Sequence, residues 1–467
     1  MVAERFGHFA TAILVSMNPT YREVEQSLLG RWPETKLEPS LDRIRAMCDL
    51  MGDPQRAFAV VHLTGTNGKT STSRMIDSLL RTLELRVGRF TSPHLESMTE
   101  RISIDGAPLS DALFVEAFAD IAPFAQMVDE QSVRGGGPPL SYFEMVVAMA
   151  YASFADTPVD VAVVEVGMGG SWDATNVADG QIAVITPIAV DHARYLGDRP
   201  EVIAAEKAGI IKAGSAVVIA EQESAVLDVL MQRVLEVGAI PLREGVDFGV
   251  ASRVNAVGGQ QIDLQMTARV YEDIFLPLHG AHQAHNAAYA LAAVEAFSAG
   301  RELDPDLVRE AFAQVTSPGR LEVVRHSPTV LLDAAHNPHS AQAAIDAVQD
   351  AFDLSPLIGV VGVMEDKDAD EILRILEPAM AHIVVTQNTT DRAMPAAELG
   401  ELAADLFGED RVTVLPRLDE ALERAIVMTD SAEGFGDQVG GGGVLVTGSV
   451  VTVGEARVLL GGGHHEE

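Results

Sequence analysis

The chain has 467 residues, of which 68 are acidic and 33 basic, for a formal net charge of −35. At about 150 residues per domain the length implies two or three domains, and the charge excludes broad attraction to nucleic acid or an anionic membrane surface, so anionic ligands must be captured by local groups. One cysteine, Cys48, permits no internal disulfide and fits a reducing compartment, the cytoplasm.

No apolar run approaches the ~18 uninterrupted residues of a membrane helix, and the short run at 9–15 lacks a small-residue cleavage site after it. No nucleic-acid or membrane partner is expected, and the expected state is a monomer. The first residues read as a poorly ordered extension. Residues 18–58 read as helical pieces in which Leu41, Ile44 and Cys48 lie near a 3.6-residue spacing, stopping at Gly52-Asp53-Pro54 and packing beside the first strand.

Strand-like runs then recur at 58–63, 159–166, 181–188 and 215–220, with helical patterns at 70–83, 142–154, 201–210 and 222–236. Near-continuous apolar strands alternating with helices imply a parallel sheet covered on both faces. Residues 244–280 alternate around Gly258-Gly259 and suggest a hairpin, followed by an alanine-rich helix at 284–298. A second series follows 316–320: strands near 329–333, 357–363, 382–386, 411–415 and 444–447, with helices at 339–351, 368–378, 395–406 and 418–429. Five strands with intervening helices make a separate doubly wound domain. The fold class is thus α/β in two domains, residues 1–317 and 318–467. No period of tens of residues repeats; residues 440–443 read as a surface loop and 461–467 as a flexible tail.

The stretch from Val60 to Ser71 organises the chain, because an apolar run breaks into a glycine-bearing turn, then Lys69-Thr70, then a helical pattern. Glycines let backbone approach a ligand, amide N–H groups and a helix N-terminus face an anion, and Lys69 adds a mobile charge. The common nucleotide loop needs a glycine five positions before Gly68, where this chain has Leu63. An ordinary strand-turn-helix connection remains open on these residues alone.

Other groups stand at strand ends, where open α/β sheets form ligand crevices. Glu165 closes the 159–166 run, Glu144 lies in Tyr142-Phe143-Glu144, and Asp191-His192 follows another apolar strand. Magnesium carried with a nucleotide takes one or two carboxylates plus phosphate oxygens; each acid alone is equally readable as a helix cap or surface charge. Lys207, in Glu206-Lys207-Ala208-Gly209, reads as a lysine favoured by a helix dipole. Asp333-Ala334-Ala335-His336-Asn337-Pro338 closes a strand and opens a helix, with Asn337-Pro338 readable as a cap and first-turn pair. Arg320 could reach a transferred phosphate from the domain junction or form a linker salt bridge.

Taken in order, these pieces resemble the Mur ligase superfamily, and within it the folate branch of folylpolyglutamate synthases and dihydrofolate synthases. The resemblance runs through Gly65-Thr66-Asn67-Gly68-Lys69, Thr91-Ser92-Pro93-His94-Leu95 with Glu100-Arg101-Ile102, Glu165-Val166-Gly167-Met168-Gly169-Gly170, Asp173-Ala174-Thr175-Asn176, Asp191-His192, Glu206-Lys207-Ala208-Gly209-Ile210, and Asp333 with His336-Asn337-Pro338. The 92–95 and 100–102 segments point to folate.

The resemblance implies a P-loop ATP-binding domain and a Rossmann-like C-terminal domain that positions glutamate. It implies ATP-dependent ligation of L-glutamate to folates, and to dihydropteroate, through an acyl phosphate. Lys69, Lys207 and His336 would be catalytic; Thr66, Asn67, Gly68, Lys69, Thr70, Ser71, Asn286, Arg320 and Asp333 would hold ATP, with Asn286 at adenine, Arg320 at phosphate and Asp333 at ribose or near the metal. Ser92, Glu144 or Glu165, His192 and a carbamylated Lys207 would hold two magnesium ions. Ser92, Pro93, His94 and Arg101 would touch folate, and His336 with Ser449 glutamate, the two domains closing over their ligands. Two departures stand out: Thr70 where many folate-branch members carry glycine, and Ser171 where an arginine commonly follows the two glycines. A cell-wall peptide ligase is the alternative enzyme, though only 64 residues precede Gly65, fewer than a uridine-nucleotide domain needs. A nucleotide-binding module without turnover is the alternative from another class.

Overall fold

The computed structural model describes residues 19–33, 39–430 and 441–461. The first sheet has eight strands, β1 (Ala59–Thr64), β2 (Val87–Phe90), β3 (Ile102–Ile104), β4 (Ala107–Pro108), β5 (Val161–Glu165), β6 (Ile182–Ile185), β7 (Ala216–Ile219) and β8 (Ile240–Arg243). Their order is β4-β3-β2-β5-β1-β6-β7-β8, parallel from β2 to β8, with β3 and β4 added antiparallel at one edge. β9 (Gly249–Ala256), β10 (Gly259–Gln265) and β11 (Val270–Leu276) make a small antiparallel sheet. The third sheet has β12 (Glu322–His326), β13 (Thr329–Leu332), β14 (Leu354–Val361), β15 (His382–Val385), β16 (Val412–Val414) and β17 (Gly441–Thr447), ordered β12-β13-β17-β14-β15-β16 and parallel except for β12.

Both faces of the first sheet are buried because its residues are apolar on both. Val61 and Leu63 of β1 join one core; Val60, pointing to the opposite face, joins the other. Helices α1 (Tyr21–Leu29), α2 (Asp42–Leu50), α3 (Lys69–Thr82), α4 (Asp111–Arg134), α5 (Tyr142–Asp156), α6 (Ala193–Leu196), α7 (Pro200–Lys207), α8 (Ser224–Val237), α9 (Ala281–Phe297) and α10 (Pro305–Ala313) supply the partners. α3, α9, α10 and the small sheet cover one face; α1, α2, α4 and α5 cover the other beside β1, β2 and β5, with α7 and α8 covering it beside β6 and β7. Around the third sheet lie α11 (Pro338–Ala351), α12 (Ala369–Leu376), α13 (Ala396–Phe407), α14 (Leu418–Asp430) and α15 (Val450–Leu459).

The chain passes from β1 to β2 on one side and later to β6 on the other, so the order reverses at β1, the place where such sheets bind ligands. Ile44 and Cys48 are buried on α2 as the spacing predicts, in the core shared with Val60. The expected hairpin at 244–280 is a three-stranded sheet, and a sixth, antiparallel strand, β12, precedes the five expected in the C-terminal domain. The 24-residue α4 was not foreseen because Pro123 interrupts its pattern. Residues 441–443 are the start of β17 rather than a loop, and an added Cβ at Gly442 would lie 2.8 Å from Thr429 Cβ and 3.0 Å from its carbonyl oxygen. The expected N-terminal extension at residues 1–18, residue 440 of the expected loop and residues 462–467 of the expected tail lie outside the described residues.

Candidate active site

The turn after β1 closes tightly enough to demand its glycines. Gly65 has φ +150° and an added Cβ would sit 1.8 Å from Thr186 Oγ1; Gly68 has φ +87° and a Cβ would sit 2.6 Å from Asn286 Oδ1. Thr66 anchors the turn, its N–H donating to Pro187 O at 2.9 Å and its hydroxyl to Ala189 O at 2.9 Å. Lys69 opens α3 and folds back, Nζ donating to the carbonyls of Gly65 at 3.0 Å and Thr66 at 3.2 Å. Burial lowers the Lys69 pKa, opposed by the Glu165 and Asp191 carboxylates. Thr70 Oγ1 lies 3.1 Å from both oxygens of Glu165, whose carboxyl is raised by burial and pulled back by Lys69.

Lys207, at the C-terminal end of α7, is 5% exposed and donates from Nζ to Gly65 O at 2.8 Å. Burial, then the like charge of Lys69, pushes its pKa down to about 7. Neighbouring loops fix that position. Asp173 accepts from Met168 N at 2.9 Å, and Asn176 Nδ2 donates to Ser171 O at 3.1 Å and Gly209 O at 3.2 Å. Ser171, the departure noted above, clasps α7 by donating from N and Oγ to Glu206 O, both at 3.0 Å. A lysine at a helix end is thus turned into the glycine turn after β1.

Residues of both domains line one cavity of about 250 Å³: Thr66, Asn67, Gly68, Lys69, Thr70, Ser71, Ser92, Pro93, Glu165, Asp191, His192, Lys207 and Asn286 from the first, with Arg320, Asp333 and His336 from the second. Asp191 is the hub between them. Its carboxylate accepts from Lys367 Nζ at 2.5 Å and Asn337 Nδ2 at 3.2 Å, with His336 Nε2 at 3.6 Å. Burial pushes the Asp191 carboxyl up, but the His336 contact, His192 once protonated in the acid range, and the charge of Lys367 hold it well below the carboxylate range. Asn67 exchanges hydrogen bonds with Asn337 at 3.1 and 3.3 Å. His192 sits at φ +50° and is driven to about pKa 4 by burial, against Asp191, so its ring is neutral at pH 7 with a lone pair to offer. Asp333 accepts from Leu321 N and Ala335 N at 2.9 Å, and Nδ1 of His336 donates to Ala334 O at 2.9 Å.

Four expected residues do not line this cavity. Glu144 is a correction: both its oxygens lie 3.2 Å from Arg43 Nε, and it closes a capping box with Ser141 at the start of α5, so it is committed to structure as an N-terminal helix acid. His94 accepts from Arg101 Nε at 2.9 Å, burial lowering its pKa to about 3, and the Arg101 guanidinium lies 5.0 Å from the centroid of Tyr142. Ser449 caps α15, accepting from Val451 N at 3.1 Å and Thr452 N at 3.3 Å. Among the described residues no three His, Cys, Asp or Glu side chains converge as a metal cluster.

The structure adds a role and residues the motifs did not single out. Asn337, expected as a cap of α11, is also a cross-domain bridge, and Lys367 comes from the turn before α12. His282, His285 and Tyr289 line the cavity from α9. Glu244 orients two of them, accepting from Tyr289 Oη at 2.8 Å and lying 2.6 Å from His285 Nδ1. The i, i+3, i+7 spacing of 282, 285 and 289 on one helix face carried that signal in the alanine-rich run.

Residues 142–294 match the Mur ligase middle domain and residues 319–450 the Mur ligase glutamate ligase domain. Fold and site together define a two-domain ligase of the Mur type. The chain is 50% identical over 455 residues to the dihydrofolate synthase/folylpolyglutamate synthase of Mycobacterium tuberculosis, covering 94% of this chain and 93% of that protein. It is 31% identical over 448 residues to the protein of the same name from Bacillus subtilis, covering 95% and 100%. The solved structure of Mycobacterium tuberculosis folylpolyglutamate synthase complexed with ADP superposes with a TM-score of 0.92 at 49% identity, over 96% of this chain and 99% of that one. The chain belongs to the dihydrofolate synthase/folylpolyglutamate synthase family, the folate branch of the Mur ligases. Among the described residues no helix is long and apolar enough to cross a membrane.

Proposed function

We propose that this protein ligates L-glutamate to folates, and to dihydropteroate, with ATP as energy source. The observation that carries the reading is the single cavity lined by Lys69, Thr70 and Glu165 from one domain and by Arg320, Asp333 and His336 from the other; the relatives' names, which pair the two synthase activities, support it. A carboxylate is a poor electrophile. An acceptor carboxylate oxygen attacks the γ-phosphorus and ADP leaves; the neutral glutamate amine then attacks the acyl carbon, the C–O bond to phosphate breaks, and phosphate and a proton depart. The chain's task is alignment and charge neutralisation.

Lys69 and the amides of 65–70 hold the phosphates, swinging Nζ from the carbonyls it occupies to the anion. Asn286 takes adenine, Asp333 ribose and Arg320 phosphate, while His336 and Ser449 orient glutamate and Ser92, Pro93, His94 and Arg101 face the folate. Magnesium fits the donor set: a hydroxyl at Thr70, another at Ser92, one buried carboxylate at Glu165 and the neutral ring of His192 leave coordination positions for phosphate oxygens and water. When bound, it neutralises phosphate charge. Glu144 has no part in that set. Lys207 is about half neutral at pH 7 by its lowered pKa, so its amine can attack carbon dioxide to give a carbamate and a proton, adding a second carboxylate-like ligand and accommodating two ions. The domain boundary falls between Ser317 and Pro318, the protein acts as a monomer in the cytoplasm, and the Asp191 contacts close the domains on the ligands.

Purified protein with ATP, magnesium, labelled glutamate and each acceptor tests this. Label enters both acceptors, and Lys69→Ala abolishes transfer in a folded protein. Failure with both acceptors would sink the proposal.

A further inference from the structure

Arg74 is a cation that the chemistry above does not use. Thr70, Arg74, Asp77 and Arg81 follow one another at helical spacing and share a face of α3. That face is pinned at both ends: Thr70 bonds Glu165 at the end of β5, while Asp77 Oδ2 accepts from Arg89 Nη1 of β2 at 2.7 Å and from Arg81 Nε at 3.3 Å. Between these anchors lies Arg74, close enough to feel the charges of Arg89 on β2 and of Glu100 at the end of the 91–100 loop. The domain junction closes in from the other side, Ser317 Oγ lying 3.1 Å from Ser71 Oγ.

The charged groups facing Arg74 are Arg89, Glu100, Asp77 and Arg320. None neutralises it. Glu100 spends its oxygens on the backbone N–H groups of Leu95, Glu96 and Ser97 at 2.8 to 2.9 Å. Asp77 is committed to Arg89 and Arg81 through Oδ2, and its Oδ1 has no partner, so Arg74 does not bond it either. Arg320 offers only like charge, its own bond going to Gly319 O at 3.4 Å. Among the described residues Arg74 thus makes no hydrogen bond or ion pair although it is half-buried, and burial lowers even its guanidinium pKa to about 10. A half-buried guanidinium without a protein partner keeps its fork of N–H donors free for an incoming carboxylate.

The ligase reading supplies the anion. Dihydropteroate ends in one carboxylate, the one activated. A folylmonoglutamate brings two, the reacting γ-carboxylate and a spectator α-carboxylate joined to it through the short glutamyl side chain. Arg320 lines the cavity with Lys69 and Glu165 and acts on both; Arg74 lies outside that lining but near enough to Arg320 to feel its charge. Resting on the proposed ligation, we propose that Arg74 holds the spectator α-carboxylate of a glutamylated acceptor and thereby sets the preference between folylglutamates and dihydropteroate.

The test compares the parent with Arg74→Met and Arg74→Lys, each checked for its unfolding midpoint and ATP affinity. For a folylmonoglutamate, the acceptor KM rises about tenfold to a hundredfold in Arg74→Met, as expected for loss of a charged hydrogen bond, and Arg74→Lys recovers part of it. KM for dihydropteroate and for ATP stays within twofold. In the parent, an acceptor whose α-carboxylate is an amide loses the same factor, a result that needs no variant to fold. Equal effects on both acceptors, or an amide bound as tightly as the acid, would overturn the role of Arg74. Should the parent turn over neither acceptor, the ligase proposal fails instead, and calorimetric binding of the folylmonoglutamate and its amide still decides on Arg74.

Discussion

Replacing Lys207 by methionine tests how the site prepares its lysine. The unfolded chain carries this amine at its ordinary pKa of 10.5, while burial beside Lys69 brings it to about 7 in the folded protein. That gap of about 3.5 pH units, at roughly 1.4 kcal/mol each, is on the order of 5 kcal/mol of folding stability. The folded pKa is the lower, so between about pH 7 and 10.5 the unfolded chain binds more protons and stability climbs with pH. Below pH 7 both states are charged and the full cost is present; above 10.5 it vanishes. Urea unfolding of parent and Lys207→Met in carbon dioxide-free buffer at pH 6, 8 and 10 measures it. The variant gains most over the parent at pH 6, by several kcal/mol, and the advantage shrinks steadily toward pH 10. Added bicarbonate stabilises the parent alone, because only a neutral amine forms the carbamate. A difference constant across that range would refute the depressed pKa.

Gly68→Ala leaves the fold intact but places a Cβ 2.6 Å from Asn286 Oδ1 at φ +87°, and weakens ATP binding at least tenfold by calorimetry. Asp191→Ala strips Lys367 of its carboxylate; the domains separate, visible as a larger radius of gyration by scattering, with a loss of about 3 kcal/mol. Glu144→Gln costs about 1 to 3 kcal/mol of stability through Arg43 and the helix cap, yet the magnesium concentration for half-maximal activity does not move.

The central strands were legible because β1, β5, β6 and β7 are buried on both faces and therefore read as unbroken apolar runs. Short or shielded elements were not: β2 has four residues with Arg89 among them, neutralised by Asp77 from α3, and β17 opens on glycines, of which Gly442 lies close against Thr429. Cavity-lining residues on the turns after β1 and β5 were readable from glycine spacing and a strand-end carboxylate. Glu144 misled because a helix-capping acid and a metal-binding acid look alike until Arg43 is placed beside it. Lys367 and Arg74 carry no local signal at all; what distinguishes them is a partner, or the lack of one, brought from another element.

Acyl phosphate formation is the central claim, and isotope transfer tests it most directly. With acceptor labelled by oxygen-18 in its reacting carboxylate, the account predicts that each phosphate released alongside the new amide carries one labelled oxygen. Amide formation with unlabelled phosphate would contradict it.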